Sequence, residues 1–318
     1  MRKAAITILV ALWVFGAFGT QTAWSQRAMN INIASAAMGG VYYPTAVAIA
    51  KVLNEKMANV KATVMVTGGS AKNMDILSKK EADIGYTSGL IANYAATGMD
   101  MFKGRDMSWL RGLSSIWPDV FQIVVTPDIN SLMGLKGKRV AVGAVGSAVF
   151  TDAKMIFGAL GLELGKDIQP EHVSFAESAD LLRDKHISAS LMLGMPHATV
   201  IDLMSMGGFK ILNLTKEEVD KIRAKEPIFS DFVIPANYYK NQPKAIQTLS
   251  IPNFLFVRAD WDPNVVYQVT KTIFENMDEL RKAQKAFEDM SLQNAVQSMP
   301  FKPHDGAARY YREKGVIK

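Results

Sequence analysis

The sequence predicts an α/β fold arranged as two lobes around a cleft, and three observations predict it. Strand-like apolar segments alternate repeatedly with segments of helical apolar spacing, the order that builds a sheet with helices on its faces. Three of the junctions from strand to helix are rich in glycine: MGGVYYP at 38–44, TGGSAKN at 67–73 and GAVGSAVF at 143–150. A chain of 318 residues is long for one compact core and suits two.

The elements follow in order. Residues 1–25 have the form of a cleaved signal peptide: basic Arg2 and Lys3, an apolar run from Ala4 to Phe18, and small residues Ala23 and Ser25 around a cleavage site after Ser25. The run is too short to serve comfortably as a retained membrane anchor. Ile31 to Ser35 alternates as a strand, and after Gly39-Gly40 the residues Tyr43, Ala46, Val47, Ala50, Leu53 and Met57 recur at helical spacing. Val60, Ala62, Val64 and Val66 share one face of a second strand, followed by Ser70 as a helix N-cap ahead of Met74 and Leu77. Ile84 to Ser88 is a third strand, with a short helix through Ala92 and Ala96 to Gly98.

A second unit opens at Phe121 to Val125 and continues with a strand over Arg139 to Gly143, a loop to Ser147 and a helix marked by Ala153, Ile156, Phe157 and Leu160. Ile251 to Asp260 reads as one late strand; Asp262-Pro263 then starts a helix with Val266, Val269, Ile273, Met277 and Leu280 on a single buried stripe. This order predicts a parallel sheet covered on both faces, interrupted by a second such unit and resumed at the end. Lobe one is expected at 27–122 and 252–318, and lobe two at 123–251.

Composition narrows the function. Apolar residues make up 49% and charged residues 21%, which argues against disorder and for a packed core. An exported chain with no cysteine has neither disulfides nor a lipidated cysteine nor thiolate chemistry. The net charge of +6 is spread rather than clustered, so no nucleic-acid partner is expected. After signal cleavage the chain has no further apolar run of spanning length and is not expected to be membrane-embedded. His172, His186, His197 and His304 show no metal-ligand spacing, GAVGSA is not a nucleophile elbow, and no dinucleotide fingerprint is present. Neither catalysis nor a metal or cofactor is therefore expected, and lone histidines read as surface or capping residues.

In open α/β sheets, ligands bind beyond the carboxyl ends of strands, where helix N-termini present free N–H groups. The N–H groups at Gly40, Val41 and Tyr42, and at Ser147, Ala148 and Val149, are the candidate cradles for a carboxylate, with Ser70, Asn73 and Ser88 as polar partners. Tyr42 and Tyr43 at a helix mouth are candidates to wall the pocket.

Taken together in this order, MGGVYYP, TGGSAKN, LKGKRVAVGAVGS, Gly194 to Pro196, DPNVVYQVTKTIFEN and PHDGAARYYREKG resemble the TAXI family, the solute-binding receptors of tripartite ATP-independent periplasmic (TRAP) transporters. The resemblance covers nearly the whole mature chain. It implies a periplasmic two-lobe binding-protein fold of the second type, a small carboxylate ligand such as a dicarboxylate, glutamate or a 2-oxo acid, and delivery to an ion-coupled TRAP permease. It also implies binding residues at Gly40, Val41, Tyr42, Tyr43, Ser70, Asn73, Ser88, Gly146, Ser147, Ala148 and Val149. Two other readings stay open: an exported enzyme on the same fold acting on an organic acid, and a ligand sensor for a signalling kinase. The sequence departs from the family pattern at Lys72, Gly89 and at Ala148 to Phe150, where acidic or hydroxyl groups are replaced. These departures predict a pocket for a carboxylate without an amine, its apolar body against Phe150.

Overall fold

Two β-sheets are joined by two chain crossings, and the order of elements shows how. The computed structural model describes residues 29–318; the expected signal peptide lies outside the described residues. The chain runs β1 (Met29–Ala34), α1 (Tyr42–Lys56), β2 (Val60–Met65), α2 (Ser70–Ser78), β3 (Ile84–Ser88), α3 (Gly89–Thr97) and β4 (Leu110–Ser115). It crosses through Ile116, Trp117 and Pro118 into β5 (Asp119–Val125), β6 (Arg139–Ala141), α4 (Ala148–Ala159), β7 (Gln169–Glu171), α5 (Phe175–Arg183), β8 (Ala189–Leu193) and α6 (Ala198–Met206). There follow β9 (Lys210–Ile211), α7 (Lys216–Lys225), β10 (Ser230–Ile234) and β11 (Ile246–Ile251); the chain returns at Pro252 into β12 (Asn253–Arg258), α8 (Pro263–Glu275), α9 (Met277–Ala283) and α10 (Asp305–Glu313).

The first sheet has the order β2-β1-β3-β12-β4; the second has β10-β11-β5-β8-β6-β7, with β9 also paired to β5. Both sheets are mixed, where the sequence predicts parallel ones. β1 pairs in parallel with β2 and β3, and β6 with β7 and β8, because helices connect them. β12 is antiparallel to β3 and β4, and β5 to β8 and β11, because the crossing strands enter from the opposite direction. The expected boundary at 122 falls inside β5, whose pairing from Asp119 onward is with the second sheet.

Three further expectations are corrected. The late strand is broken at Pro252, which has no N–H to continue a ladder and stands at the crossing. The helix after Asp262 stops at Asn276, so Met277 and Leu280 belong to a separate α9, although both are buried. Val66 lies beyond β2 and is exposed. Asp262 does cap α8, accepting from the Asn264 N–H at 2.7 Å with Pro263 in the first turn.

One core packs α1, α8 and α10 on the first sheet, through Ile31, Ile49, Leu53, Val266, Ile273 and Tyr310. A second core is continuous from α2 and α3 into α4 and β5, and α3 packs directly on α4. That joint holds the two sheets' facing loops beside the cleft. Among the described residues, no helix is long and apolar enough to cross a membrane.

Candidate functional site

Four helices begin at the same cleft. Its lining includes Gly40, Val41 and Tyr42 at the start of α1, Gly69 and Ser70 at α2, Ser147, Ala148 and Val149 at α4, and Ser174 and Phe175 at α5. Each helix follows a strand end, so its first-turn N–H groups have no intrahelical acceptor and its positive dipole end faces the cleft. The remaining surface is mostly apolar: Ala36, Ala37, Ala144, Val173 and Leu193. The cleft has a volume of about 120 Å³. The two walls nearly touch: a Cβ on Gly40 would lie 2.9 Å from Phe175 Cε2, so only glycine permits this approach.

Of the residues expected at the site, Gly40, Val41, Tyr42, Ser70, Ser147, Ala148 and Val149 line the cleft, and Tyr43, Asn73, Ser88 and Gly146 do not. Asn73 is fully buried and works behind the wall: its amide donates to Ser35 O at 2.7 Å and Tyr86 O at 2.9 Å, and its Oδ1 accepts from the Thr67 hydroxyl at 2.6 Å. It ties the ends of β1 and β3 to the TGGS loop. Ser70 is not the cap expected of it: Gly69 holds that position, and Ser70 Oγ accepts from the Ser88 N–H at 3.0 Å. Ser147 does cap α4, accepting from the Phe150 N–H at 3.2 Å.

Tyr42 points its hydroxyl down at the cleft floor, 2.5 Å from Asn253 Oδ1 and 3.4 Å from Asp119 Oδ2, and its ring packs 4.9 Å from Tyr86. Burial, together with nearby Asp119, holds the Tyr42 hydroxyl well above its ordinary pKa, so it stays protonated. Asp119 itself is buried on the floor with Oδ1 unpartnered, and burial pushes its carboxyl up to about 7. Sequence reasoning missed Asp119 and Asn253 because only the two crossings bring them to the helix mouths. It also missed α5, although the S-x-x-E spacing of Ser174 and Glu177 signals a helix start; Ser174 accepts from the Glu177 N–H at 3.3 Å.

The departures from the resembled pattern have structural explanations. Gly89 donates to Pro252 O at 2.7 Å, and a Cβ there would lie 2.9 Å from Pro252 Cγ, so an acidic side chain has no room beside the crossing. Lys72 is exposed and off the cleft. Phe150 packs edge-on against His172 at 4.9 Å, away from the lining, and Phe175 is the phenylalanine that lines the cleft. Of the histidines, His304 caps α10 by accepting from the Gly306 N–H at 3.1 Å. His197 stands at the N-cap position of α6 without a side-chain cap bond, and it is not a surface residue: it is fully buried against Phe175, and burial lowers its pKa to about 3.

Comparison with known proteins gives the following. A model described as the NMT1-like family matches residues 33–315. Among solved structures, that of the periplasmic binding protein BugD has a TM-score of 0.55 at 14% identity, covering 91% of this chain and 94% of that one. A protein from Bordetella bronchiseptica RB50 has a TM-score of 0.54 at 17% identity, covering 91% and 89%. At such identities the common property is the fold, the two-lobe type II architecture of periplasmic binding proteins.

Proposed function

Because the chain belongs to the NMT1-like family, we propose that it is a periplasmic solute-binding receptor that captures a small carboxylate between its two lobes and delivers it to an ion-coupled TRAP permease. The observation that carries this reading is the convergence of four helix N-termini on one compact, largely apolar cleft. Free N–H groups and four positive dipole ends favour an anion, and the apolar walls desolvate it, which strengthens each hydrogen bond it accepts. The TAXI-like motifs give the permease class, and the relationship to a periplasmic binding protein supports the compartment. A dicarboxylate or a 2-oxo acid fits the volume and the lining.

Capture and release need only that the ligand bind the closed arrangement better than the open one. The walls that carry the donors come from different sheets, joined at Ile116–Pro118 and at Pro252, so closure around the anion brings both donor sets to it. The first experiment is mass spectrometry of small molecules released by denaturing protein purified from the periplasm, followed by thermal-shift titration of whatever appears. A ligand at a hundredfold excess over its Kd stabilises the native state by about 2.7 kcal/mol. An organic acid released intact and raising the melting temperature is the expected result. A substrate together with its reaction product, or no shift with any carboxylate, would contradict the proposal.

A further inference from the structure

The floor of the cleft poses a charge problem for any carboxylate bound there, and its solution rests on the receptor reading above. Asp119, the first residue of β5, lines the cleft at 3% exposure. Among the described residues its Oδ1 has no hydrogen-bond partner; its Oδ2 lies 3.4 Å from the Tyr42 hydroxyl, whose single proton has a closer acceptor in Asn253 Oδ1 at 2.5 Å, and hydrogen bonding to the Asn253 side chain also bears on the carboxyl. Among the described residues, no lysine, arginine or histidine lines the cleft. A second carboxyl, Asp152 on α4, is fully buried with both oxygens unpartnered, and Asp119 acts on it by repulsion. Two carboxyls thus share a desolvated region without a cation, and an entering carboxylate brings a further negative charge.

We propose that Asp119 is the specificity-determining residue of the cleft and meets the ligand as a neutral carboxylic acid, donating through Oδ1 to a ligand carboxylate, so that each acid is captured together with one proton from solvent. The balance is simple: solvent gives a proton to the Asp119 carboxylate, the resulting O–H donates to the bound anion, and both proton and ligand leave when the cleft opens. The groups facing Asp119 do not supply that proton. Tyr42 from α1 is held neutral by burial, Asn253 from β12 acts on the carboxyl as an uncharged hydrogen-bonding amide, and burial, with Asp119 itself, raises the Asp152 carboxyl from α4 well above the ordinary carboxyl range. A carboxyl that burial holds at about 7 divides between its two forms near neutral pH, and the anion draws it to the acid form. A ligand bearing an ammonium would do the opposite and pair with ionised Asp119, so an amino acid is captured without the proton that an amine-free acid takes up.

The test is isothermal titration calorimetry of 2-oxoglutarate and of glutamate at pH 6, 7 and 8. Each is run in two buffers of different ionisation enthalpy, with the wild-type protein and Asp119→Asn. The expected result is uptake of close to one proton per 2-oxoglutarate at pH 8, a Kd that weakens about tenfold per pH unit above 7, any glutamate binding without that uptake, and an Asp119→Asn variant that binds 2-oxoglutarate without proton uptake or pH dependence. The wild-type proton count stands even if the variant folds poorly. Binding of 2-oxoglutarate without proton uptake, or the same uptake with glutamate, overturns the proposal and leaves the receptor reading intact. No binding heat from either acid, with no acid released from the purified protein, overturns both.

Discussion

The two walls of the cleft are built from the same device, a helix starting after a strand, yet they are anchored differently. On the second wall both helices are capped by a serine side chain, Ser147 for α4 and Ser174 for α5. On the first wall neither α1 nor α2 has a side-chain cap; Val41 and Gly69 occupy the cap positions. The first wall is held from behind instead, by Asn73, by Ser70 accepting from the Ser88 N–H, and by the Tyr42–Asn253 bond. The difference teaches how donors are allotted. On the first wall the uncapped helix starts leave main-chain N–H groups, and the Thr67 and Ser70 hydroxyls beside them are bonded within their own wall; on the second wall a capping serine accepts with its oxygen and keeps its own O–H proton free to donate.

Asp119, bound to the first wall through Tyr42, is where that comparison carries the largest effect. Its folded pKa of about 7 lies above the ordinary value of 3.8, so the folded state holds the proton more tightly than the unfolded chain. The stability this provides is complete below about pH 4 and is lost as pH rises through about 7, at up to about 1.4 kcal/mol per pH unit and about 4 kcal/mol in all. Urea unfolding from pH 4 to 8 should show this decline in the wild type and a shallower one in Asp119→Asn. Equal slopes would mean that the floor carries no such burden.

Next in size is Asn73→Ala, which removes three hydrogen bonds behind the first wall and leaves the Ser35 and Tyr86 carbonyls buried without that donor. A loss of about 3 kcal/mol is expected, since each buried group left unsatisfied costs about 1–3 kcal/mol. Denaturant midpoints measure it. A loss under about 1 kcal/mol would show that the first wall does not depend on this anchor.

How much of this was legible in the sequence follows from how local each signal is. The glycine loops and the starts of α1, α4 and α8 are written in adjacent residues, so the strand-to-helix junctions and most cleft-lining positions could be read directly. Asn73, expected among the ligand-binding residues, lies behind the wall, because a side chain's direction depends on the sheet ends that it ties together. Asp119 and Asn253 become neighbours of Tyr42 only through the two crossings, a long-range pairing with no local mark. Phe150 and Phe175 lie in the first turns of two helices that follow strands, and packing alone decides that the second lines the ligand space.

The smallest effect tests the second wall. Ser147→Ala removes the cap of α4, worth about 1 kcal/mol of stability, and with it the hydroxyl proton that the cap leaves available to a ligand. Ser147→Thr keeps both the accepting oxygen and the O–H, so it should restore the melting temperature and the ligand affinity together. If the second wall contributes a hydroxyl donor, Ser147→Ala weakens binding about five- to tenfold, the worth of one neutral hydrogen bond, whereas main-chain donors on the first wall survive every side-chain change. An alanine variant that loses the expected stability but binds as tightly as the wild type would assign anion recognition to the first wall alone. The serine caps would then serve to hold the second wall in shape while it closes.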